Sequence, residues 1–307
     1  MGNLVISHHP IVRSQPMLPK SIVSGQPRTG MYERILIPTD GSPSAEAAAR
    51  HGIVIADAFE ASVHIISVVN EQARSERLAE AQAQDAVSTL EELVEQESDL
   101  SCQSVIELGR PYEAILSYAS ENDIGLVVMG THGRRGLSRV LLGSVTERVI
   151  RLSNDPVLAV PPHAIGRERD GYERILIPTD GSPAATAAVD HGLAIAEQVG
   201  ATVRVLYVIE GETGLPPLGD SLRDEAVEVL EAVAERGSER EVTLTTHVQP
   251  GTPHEVINNF VSAHGTDLVA MGTHGRSGLR RHLLGSVTER VLRTSDTPVL
   301  TVRQDTE

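Results

Sequence analysis

The feature that most constrains the fold is an internal duplication. Residues 32–43 read YERILIPTDGSP, and residues 172–183 repeat the same letters 140 positions later. Residues 141–149 read LLGSVTERV and recur as residues 283–291, 142 positions later, so the second copy holds two additional residues between these segments. The period lies far above the roughly 20–50 residues of solenoid repeats, so each copy must bury a core of its own. The chain of 307 residues therefore predicts two similar domains.

The segments outside the repeat give the domain bounds. We expect a disordered N-terminal extension at residues 1–30, a first domain at 31–162, a linker at 163–171 and a second domain at 172–307. The extension holds four prolines and no Asp or Glu, and it has neither helical nor alternating periodicity. Met31 directly precedes the first strand-like run, so translation starting there would explain the extension. A short targeting or docking tail is the alternative.

Composition excludes several classes of protein. The chain has 26 basic and 42 acidic residues, and its net charge of −16 disfavours general binding to nucleic acid or to anionic membranes. Cys102 is the only cysteine, which excludes an internal disulfide and a cysteine metal cluster. No apolar run approaches the length of a transmembrane helix. We therefore expect a cytoplasmic protein with no nucleic-acid and no membrane partner.

Short β-branched runs alternate with longer stretches of helical periodicity in each copy. In the first copy we expect strands at residues 34–37, 63–69, 104–108, 126–129 and 157–160. Pro38 is expected to end the first strand, and Ser42 followed by Pro43 predicts the N-cap and first residue of a helix. This alternation predicts an α/β fold in which each copy is an open five-stranded parallel sheet with helices on both faces.

The fold class alone locates a ligand site. Right-handed crossovers give a doubly wound sheet whose ligand crevice lies beyond the carboxyl ends of the strands. In the first copy these ends carry Thr39, Asp40, Val68, Asn70 and the loop that begins at Gly130. We expect all of them to reach one pocket.

The loop after the fourth strand has the composition of an anion site. It follows the pattern G-x2-G-x9-G-S in both copies, with Gly130, Gly133, Gly143 and Ser144 in the first. Glycine lets backbone N–H groups approach an anion closely, and the start of a helix offers unpaired N–H groups at its positive end. The loops also carry Arg134, Arg135 and Arg139 in the first copy and Arg276, Arg280 and Arg281 in the second. The pattern predicts a polyphosphate site.

Two better-known phosphate motifs are excluded. A Walker A loop requires Gly-Lys-Ser/Thr, but Lys20 is the only lysine in the chain. The G-x-G-x-x-G motif does not follow the first strand either. A purely structural role for the glycines is the alternative, because a duplication also copies glycines that only cap a helix or turn a loop.

The combined pattern resembles the ATP-binding branch of the universal stress protein family, in a tandem two-domain form. The resemblance rests on the Pro-Thr-Asp end of the first strand, the glycine loop, the helix after it and a final Pro-Val-Leu strand, and it covers nearly all of residues 31–307, twice. It implies an adenine nucleotide alpha hydrolase-like, Rossmann-like fold that binds ATP, with Mg²⁺ or Mn²⁺ bridging the phosphates. The nucleotide-binding residues that it implies are Pro38, Thr39, Asp40, Val68, Met129, Gly130, Thr131, His132, Gly133, Arg134, Gly143, Ser144 and Val145, and in the second copy Pro178, Thr179, Asp180, Val208, Met271, Gly272, Thr273, His274, Gly275, Arg276, Gly285, Ser286 and Val287.

No catalytic residue and no protein ligand to a metal is expected. His132 and His274 lie in the glycine loops, but the sequence places no carboxylate or nucleophile beside them. His51 and His191 occupy matched positions in the first helix of each copy, and we expect them to be packing or surface residues.

Three functions are compatible with these residues. The first is an ATP-binding universal stress protein that acts as a nucleotide-gated regulatory or interaction module in the stress response. The second is a slow ATPase or nucleotidyl transferase that uses Asp40 or His132, and the third is a structural pairing module without a ligand. The resemblance also implies an intrachain pseudo-dimer, paired through residues 157–160 and 299–302, which would cover an apolar sheet edge. A homodimer of the whole chain and an unidentified protein partner are left open.

The basic residues suggest a dependence on salt. All 26 except Lys20 are arginines, on a chain of net charge −16. An acidic, lysine-poor surface stays hydrated when salt screens charge repulsion, so we hypothesise a halophilic protein from a high-salt cytoplasm. A genome biased toward arginine codons is the alternative. We expect the free energy of unfolding to rise along a salt series, and a maximum in dilute buffer would contradict the hypothesis.

Overall fold

The computed structural model describes residues 11–13, 30–70, 76–133, 142–164, 171–210, 220–275 and 284–304, and all structural statements refer to these. The first part of the chain contains β1 (Ile11–Arg13), β2 (Arg34–Thr39), α1 (Pro43–Ala58), β3 (Ser62–Val69), α2 (Glu76–Glu97), β4 (Cys102–Leu108), α3 (Pro111–Glu121), β5 (Leu126–Gly130), α4 (Ser144–Leu152), β6 (Val157–Val160) and a 3₁₀ turn (Pro162–Ala164). The second part contains β7 (Arg174–Pro178), α5 (Pro183–Val199), β8 (Thr202–Ile209), α6 (Asp220–Glu239), β9 (Leu244–Pro250), α7 (Pro253–His264), β10 (Leu268–Gly272), α8 (Ser286–Thr294) and β11 (Val299–Val302).

The described strands form one sheet. Its order is β1-β4-β3-β2-β5-β6-β11-β10-β7-β8-β9. Within each copy the neighbouring strands are parallel. The strand order reverses between β2 and β5, and again between β7 and β10, which gives each copy one topological switch point. The predicted α/β fold with five parallel strands in each copy is confirmed.

Helices cover both faces of the sheet. One buried cluster joins the strands to α1, α2, α5 and α6 and includes Ile55 and Leu193. The other joins the opposite face to α3, α4, α7 and α8 and includes Ile115 and Phe260. Central strands buried on both faces are apolar throughout, as in residues 126–129. None of the described helices is long and apolar enough to cross a membrane.

Local capping explains where α1 and α5 begin. Ser42 Oγ accepts the Ala45 N–H at 3.3 Å, and Pro43 occupies the first helical position. The second copy repeats this arrangement with Ser182 as the cap. The predicted start of the first helix at Ser42 and Pro43 is confirmed, because this signal depends only on adjacent residues.

Pro38 does not end its strand, contrary to expectation. The strand β2 continues to Thr39, and Pro38 lies opposite Ile66 of β3. Pairing of β2 with β5 stops at Leu36. Because β2 no longer pairs with β5 at Pro38, the missing N–H of this proline removes no hydrogen bond between β2 and β5.

A short strand lies within the extension that we expected to be disordered. Residues 11–13 pair in parallel with β4, and their Ile-Val sequence favours extended backbone. The flanking residues 1–10 and 14–29 lie outside the described residues.

Antiparallel pairing of β6 with β11 joins the two copies. Leu158 lies opposite Leu300, and Ala159 lies opposite Val299. All residues of both strands are buried. The strands therefore pair as expected, and the two five-stranded sheets become one continuous sheet.

Two tyrosine–histidine pairs cross the same interface reciprocally. The hydroxyl of Tyr32 lies 2.6 Å from His191 Nδ1, and that of Tyr172 lies 2.8 Å from His51 Nδ1. His51 Nε2 lies 3.2 Å from the Ala164 carbonyl, which can only accept, so Nδ1 is the acceptor for Tyr172. Burial raises the pKa of the Tyr32 hydroxyl, which keeps that donor protonated. The matched positions make the interface self-complementary, as between the subunits of a twofold dimer.

We expect Tyr172→Phe to lower the free energy of unfolding by about 1–3 kcal/mol, because it removes the hydrogen bond that the Tyr172 hydroxyl donates to the buried Nδ1 of His51. Tyr112→Phe is the matched control, since its hydroxyl donates to the exposed Glu113 carboxylate, and it should change the value by less than about 0.5 kcal/mol. Urea unfolding measures both variants. Equal effects would contradict the assigned role of the interface hydrogen bond.

Candidate functional site

Helices α4 and α8 begin without a side-chain cap. Their N-cap residues are Gly143 and Gly285, and in neither helix does a capping side chain accept a hydrogen bond from the first turn. The first N–H groups of any helix lack an acceptor within the helix and lie at its positive end. Both helix starts, at Ser144 and Ser286, can therefore receive an anion.

Two hydrogen bonds in each copy, one between main-chain groups and one from a threonine side chain, link the end of the fourth strand to these helix starts. Gly143 N donates to Thr131 O at 2.7 Å, and Thr146 Oγ1 donates to Gly130 O at 2.8 Å. The second copy repeats both bonds at 2.8 Å, from Gly285 to Thr273 and from Thr288 to Gly272. The carboxyl end of the fourth strand and the start of the following helix are thereby fixed together in each copy.

The last residue of the fourth strand lies where no side chain fits. A Cβ atom on Gly130 would lie 2.4 Å from Ser44 Oγ and 2.7 Å from Ser44 O. On Gly272 it would lie 2.7 Å from the carbonyl carbon of Ala184. Glycine at these positions lets β5 approach the start of α1, and β10 the start of α5.

Asp40 forms a turn and also faces the glycine loop. Its Oδ1 accepts the Ser42 N–H at 3.0 Å, which is the structural role that Asp commonly takes in turns. Its Oδ2 lies beside Gly133, where an added Cβ atom would be only 2.9 Å away. The second copy has the same arrangement, with corresponding distances of 3.0 and 2.7 Å at Asp180, Ser182 and Gly275.

In the second copy these elements enclose a cleft of about 450 Å³. The cleft lies at the carboxyl ends of β7, β8 and β10 and at the start of α8, and its volume is within the usual range for small-molecule sites. The predicted residues that line it are Pro178, Thr179, Asp180, Val208, Met271, Gly272, His274, Gly275, Gly285, Ser286 and Val287. The structure thus brings together side chains and loops that are distant in sequence.

Two residues predicted for the second site are not among those that line the cleft. Thr273 is buried behind it, with its N–H donating to Val302 O at 2.8 Å. Arg276 lies outside the described residues, as do Arg134 and the remaining loop arginines.

The sequence analysis missed the wall opposite the glycine loop. This wall and the cleft floor include Ala185, Leu206, Tyr207, Ile209, Glu210, Leu222, Glu225, Pro253, Ile257 and Thr288. Residues 206–210 could have been found, because they end the same strand as Val208. Leu222 and Glu225 carry no local signal, since they reach the cleft only through the packing of α6 beside β8.

The first copy places its predicted residues at the matching strand ends. Pro38 and Thr39 are the last residues of β2 and Asp40 follows them, and Val68 is the last residue but one of β3. Met129 and Gly130 are the last residues of β5, and Thr131, His132 and Gly133 follow them. Gly143 is the N-cap of α4, and Ser144 and Val145 are its first residues. Because β3, β2 and β5 are neighbours in the sheet, these ends meet at one edge.

His274 contributes an imidazole to the cleft. Its Nδ1 lies 3.0 Å from Thr273 Oγ1, and its Nε2 is buried with no hydrogen-bond partner in the described part of the chain. Burial lowers the pKa of His274, and the positive charge of Arg303 lowers it further. The neutral ring can donate or accept one hydrogen bond at Nε2. His132 makes the same 3.0 Å contact with Thr131 in the first copy.

Comparison with known proteins agrees with this geometry. A model of the universal stress protein family matches residues 31–161 and again residues 171–303. The chain belongs to the universal stress protein family. The two matches cover both repeats and therefore all elements that form the two candidate sites.

Individual family members are similar over one or both copies. A universal stress protein of Methanocaldococcus jannaschii, MJ0531, is 38% identical over 141 residues, which is 43% of this chain and 83% of that protein. The universal stress protein Mb2028c of Mycobacterium bovis is 27% identical over 296 residues, which is 88% of this chain and 97% of that protein. The crystal structure of a universal stress protein from Archaeoglobus fulgidus superposes with a TM-score of 0.72 at 22% identity, covering 89% of this chain and 99% of that one. The Archaeoglobus fulgidus protein thus shares the fold over most of this chain.

We expect Gly130→Ala to lower the free energy of unfolding by about 1–3 kcal/mol, because its Cβ atom would overlap the Ser44 backbone. Gly30→Ala is the control, since its Cβ atom would meet only ordinary contacts, the nearest at 3.4 Å. Chemical denaturation compares the two variants. If Gly130→Ala is as stable as the control, the close approach of β5 to α1 is wrong.

Proposed function

We propose that this universal stress protein binds ATP at both candidate sites and acts in the cytoplasm as a nucleotide-gated regulatory or interaction module of the stress response. The observation that carries the proposal is the uncapped start of α4 and of α8 beneath a glycine loop. In α1 and α5 a serine side chain occupies the same position and accepts from the helix.

The helix starts favour a phosphate chain. Their first N–H groups have no capping side chain, and the hydroxyls of Ser144 and Ser286 add a donor at the first helical position. Gly143 and Gly285 leave no side chain between these donors and a ligand. An anion held by main-chain donors is compatible with a chain of net charge −16, because the attraction is local.

The rest of the second cleft favours a nucleoside. Leu206, Ile257 and Met271 give it apolar walls that suit a flat base, and Asp180 lies between these walls and the start of α8. A carboxylate at a strand end can accept hydrogen bonds from ribose hydroxyls or from an adenine amino group. The main chain at Val208 can pair with the edge of the base.

We propose that Mg²⁺ or Mn²⁺ binds together with the phosphates. No group of three or more His, Cys, Asp or Glu side chains that could hold a metal is found in the residues that the structure describes. The cation would therefore take its oxygen ligands from the phosphates and from water, as Mg²⁺ commonly does at nucleotides.

The glycine loops connect directly to the strands that join the two copies. Thr131 N donates to Val160 O at 2.9 Å, and Thr273 N donates to Val302 O at 2.8 Å. Val160 and Val302 end β6 and β11. A nucleotide that fixes the loops would therefore bias the interface between the copies, which is how occupancy could be passed to a protein partner.

We expect calorimetric titration of the intact chain with ATP and Mg²⁺ to show binding. Gly143→Val and Gly285→Val should each weaken one site by at least about tenfold, because a branched side chain would cover the donors at the helix start. At these glycines a Cβ atom would already lie 3.0 and 3.1 Å from the carbonyl oxygens of Thr131 and Thr273. Gly30→Ala is the control and should bind as the native chain does.

Two results would replace this proposal with another function. Absence of binding at millimolar ATP with either cation would favour a structural pairing module. Steady phosphate release that is lost in Gly143→Val would favour an ATPase or nucleotidyl transferase.

A further inference from the structure

The two copies are alike at the phosphate end of their sites. Gly130, Gly133, Gly143 and Ser144 have counterparts of the same type and spacing in the second copy. The hydrogen bonds that hold the glycine loops recur in both. Whatever binds to the start of α4 can by this geometry also bind to the start of α8.

The copies differ at the opposite end of the site. Val68 and Val208 occupy the same position in β3 and β8, which are both eight residues long and offset by 140 throughout. Two residues further on, the first copy has Asn70 and the second has Glu210. The position that follows β3 in the first copy is therefore a neutral amide, and the matching position after β8 in the second copy is a carboxylate.

Glu210 lies at the end of the cleft that is remote from the phosphates. The cleft is lined by Ser286 at the start of α8, by Asp180 after β7 and by Glu210 after β8. The strands β10, β7 and β8 are neighbours in this order, so the end of β8 is about 10 Å from that of β10, or two strand spacings. A nucleotide whose phosphates lie on α8 therefore presents its base to β8.

A carboxylate and an amide can form different hydrogen bonds with a base. An ionised Glu only accepts hydrogen bonds, whereas Asn both donates and accepts. The amino group of adenine can donate to either side chain. A purine without that group offers ring nitrogens that only accept, so it can pair with the amide of Asn70 but leaves the carboxylate of Glu210 facing lone pairs.

Given the proposed function, we infer that the two sites differ in base selectivity. Glu210 makes the second site require a base with an exocyclic amino group, as in adenine, and Asn70 lets the first site accept purines with or without it. The two copies have thus kept the same phosphate-binding residues but differ in the residue that contacts the base.

The test compares ATP with purine riboside 5′-triphosphate, which carries hydrogen in place of the amino group. Both are titrated with Mg²⁺ onto the full chain carrying Gly143→Val, which leaves the second site, or Gly285→Val, which leaves the first. We expect the analogue to bind at least about tenfold more weakly than ATP at the second site and within about threefold at the first.

Exchanging the two side chains assigns the difference to them. Glu210→Asn should reduce the preference of the second site for ATP over the analogue to the value of the first site. Asn70→Glu should give the first site a preference for ATP over the analogue. Glu228→Gln is the control for loss of a negative charge, since Glu228 is exposed on α6 and does not line the cleft, and it should leave the preference unchanged. Glu210→Asn in the otherwise native chain gives the same comparison if a valine variant fails to fold.

Each remaining result overturns the inference. Equal preference at both sites, or a preference that Glu210→Asn leaves intact, would overturn it while ATP binding stands. Absence of ATP binding by the native chain would overturn the proposed function, and the inference with it.

Discussion

The antiparallel contact between β6 and β11 is the interaction on which the rest of the structure depends. It turns two five-stranded sheets into one and buries strands that would otherwise be apolar edges. It also fixes the glycine loops, because the residue that follows the fourth strand in each copy bonds to the end of β6 or β11. The tyrosine–histidine pairs add directional hydrogen bonds to this packing and exclude slipped arrangements of the two copies.

Helices α1 and α5 differ from α4 and α8 in how they begin. Where a helix only needs to begin, as in α1, a serine satisfies its first N–H groups and a proline sets its first turn. At α4 and α8 the N-cap is glycine, which has no side chain that could accept from the first N–H groups. A first turn without an acceptor for its N–H groups has a cost in stability, and an anion at these helix starts would offset that cost.

Local signals in the sequence account for most of the fold and about half of the cleft. The serine caps follow from adjacent residues, and the number of strands in each copy follows from the alternation of strands and helices. The expected end of β2 at Pro38 was wrong, because a strand tolerates proline where the neighbouring strand, here β5, no longer pairs with it. His51 and Tyr172 meet across 121 positions, and Leu222 reaches the cleft through the packing of α6. These contacts depend on docking of distant elements, which no window of sequence contains.

Opposite strand directions in β6 and β11 also decide which way the two sites face. The carboxyl ends of β2, β3 and β5 lie at one edge of the sheet, and those of β7, β8 and β10 lie at the other. Two molecules that recognise the sites can therefore approach from opposite sides without competing for space. Because both candidate sites lie on one continuous sheet, the distance between them is set by the fold rather than by a flexible tether.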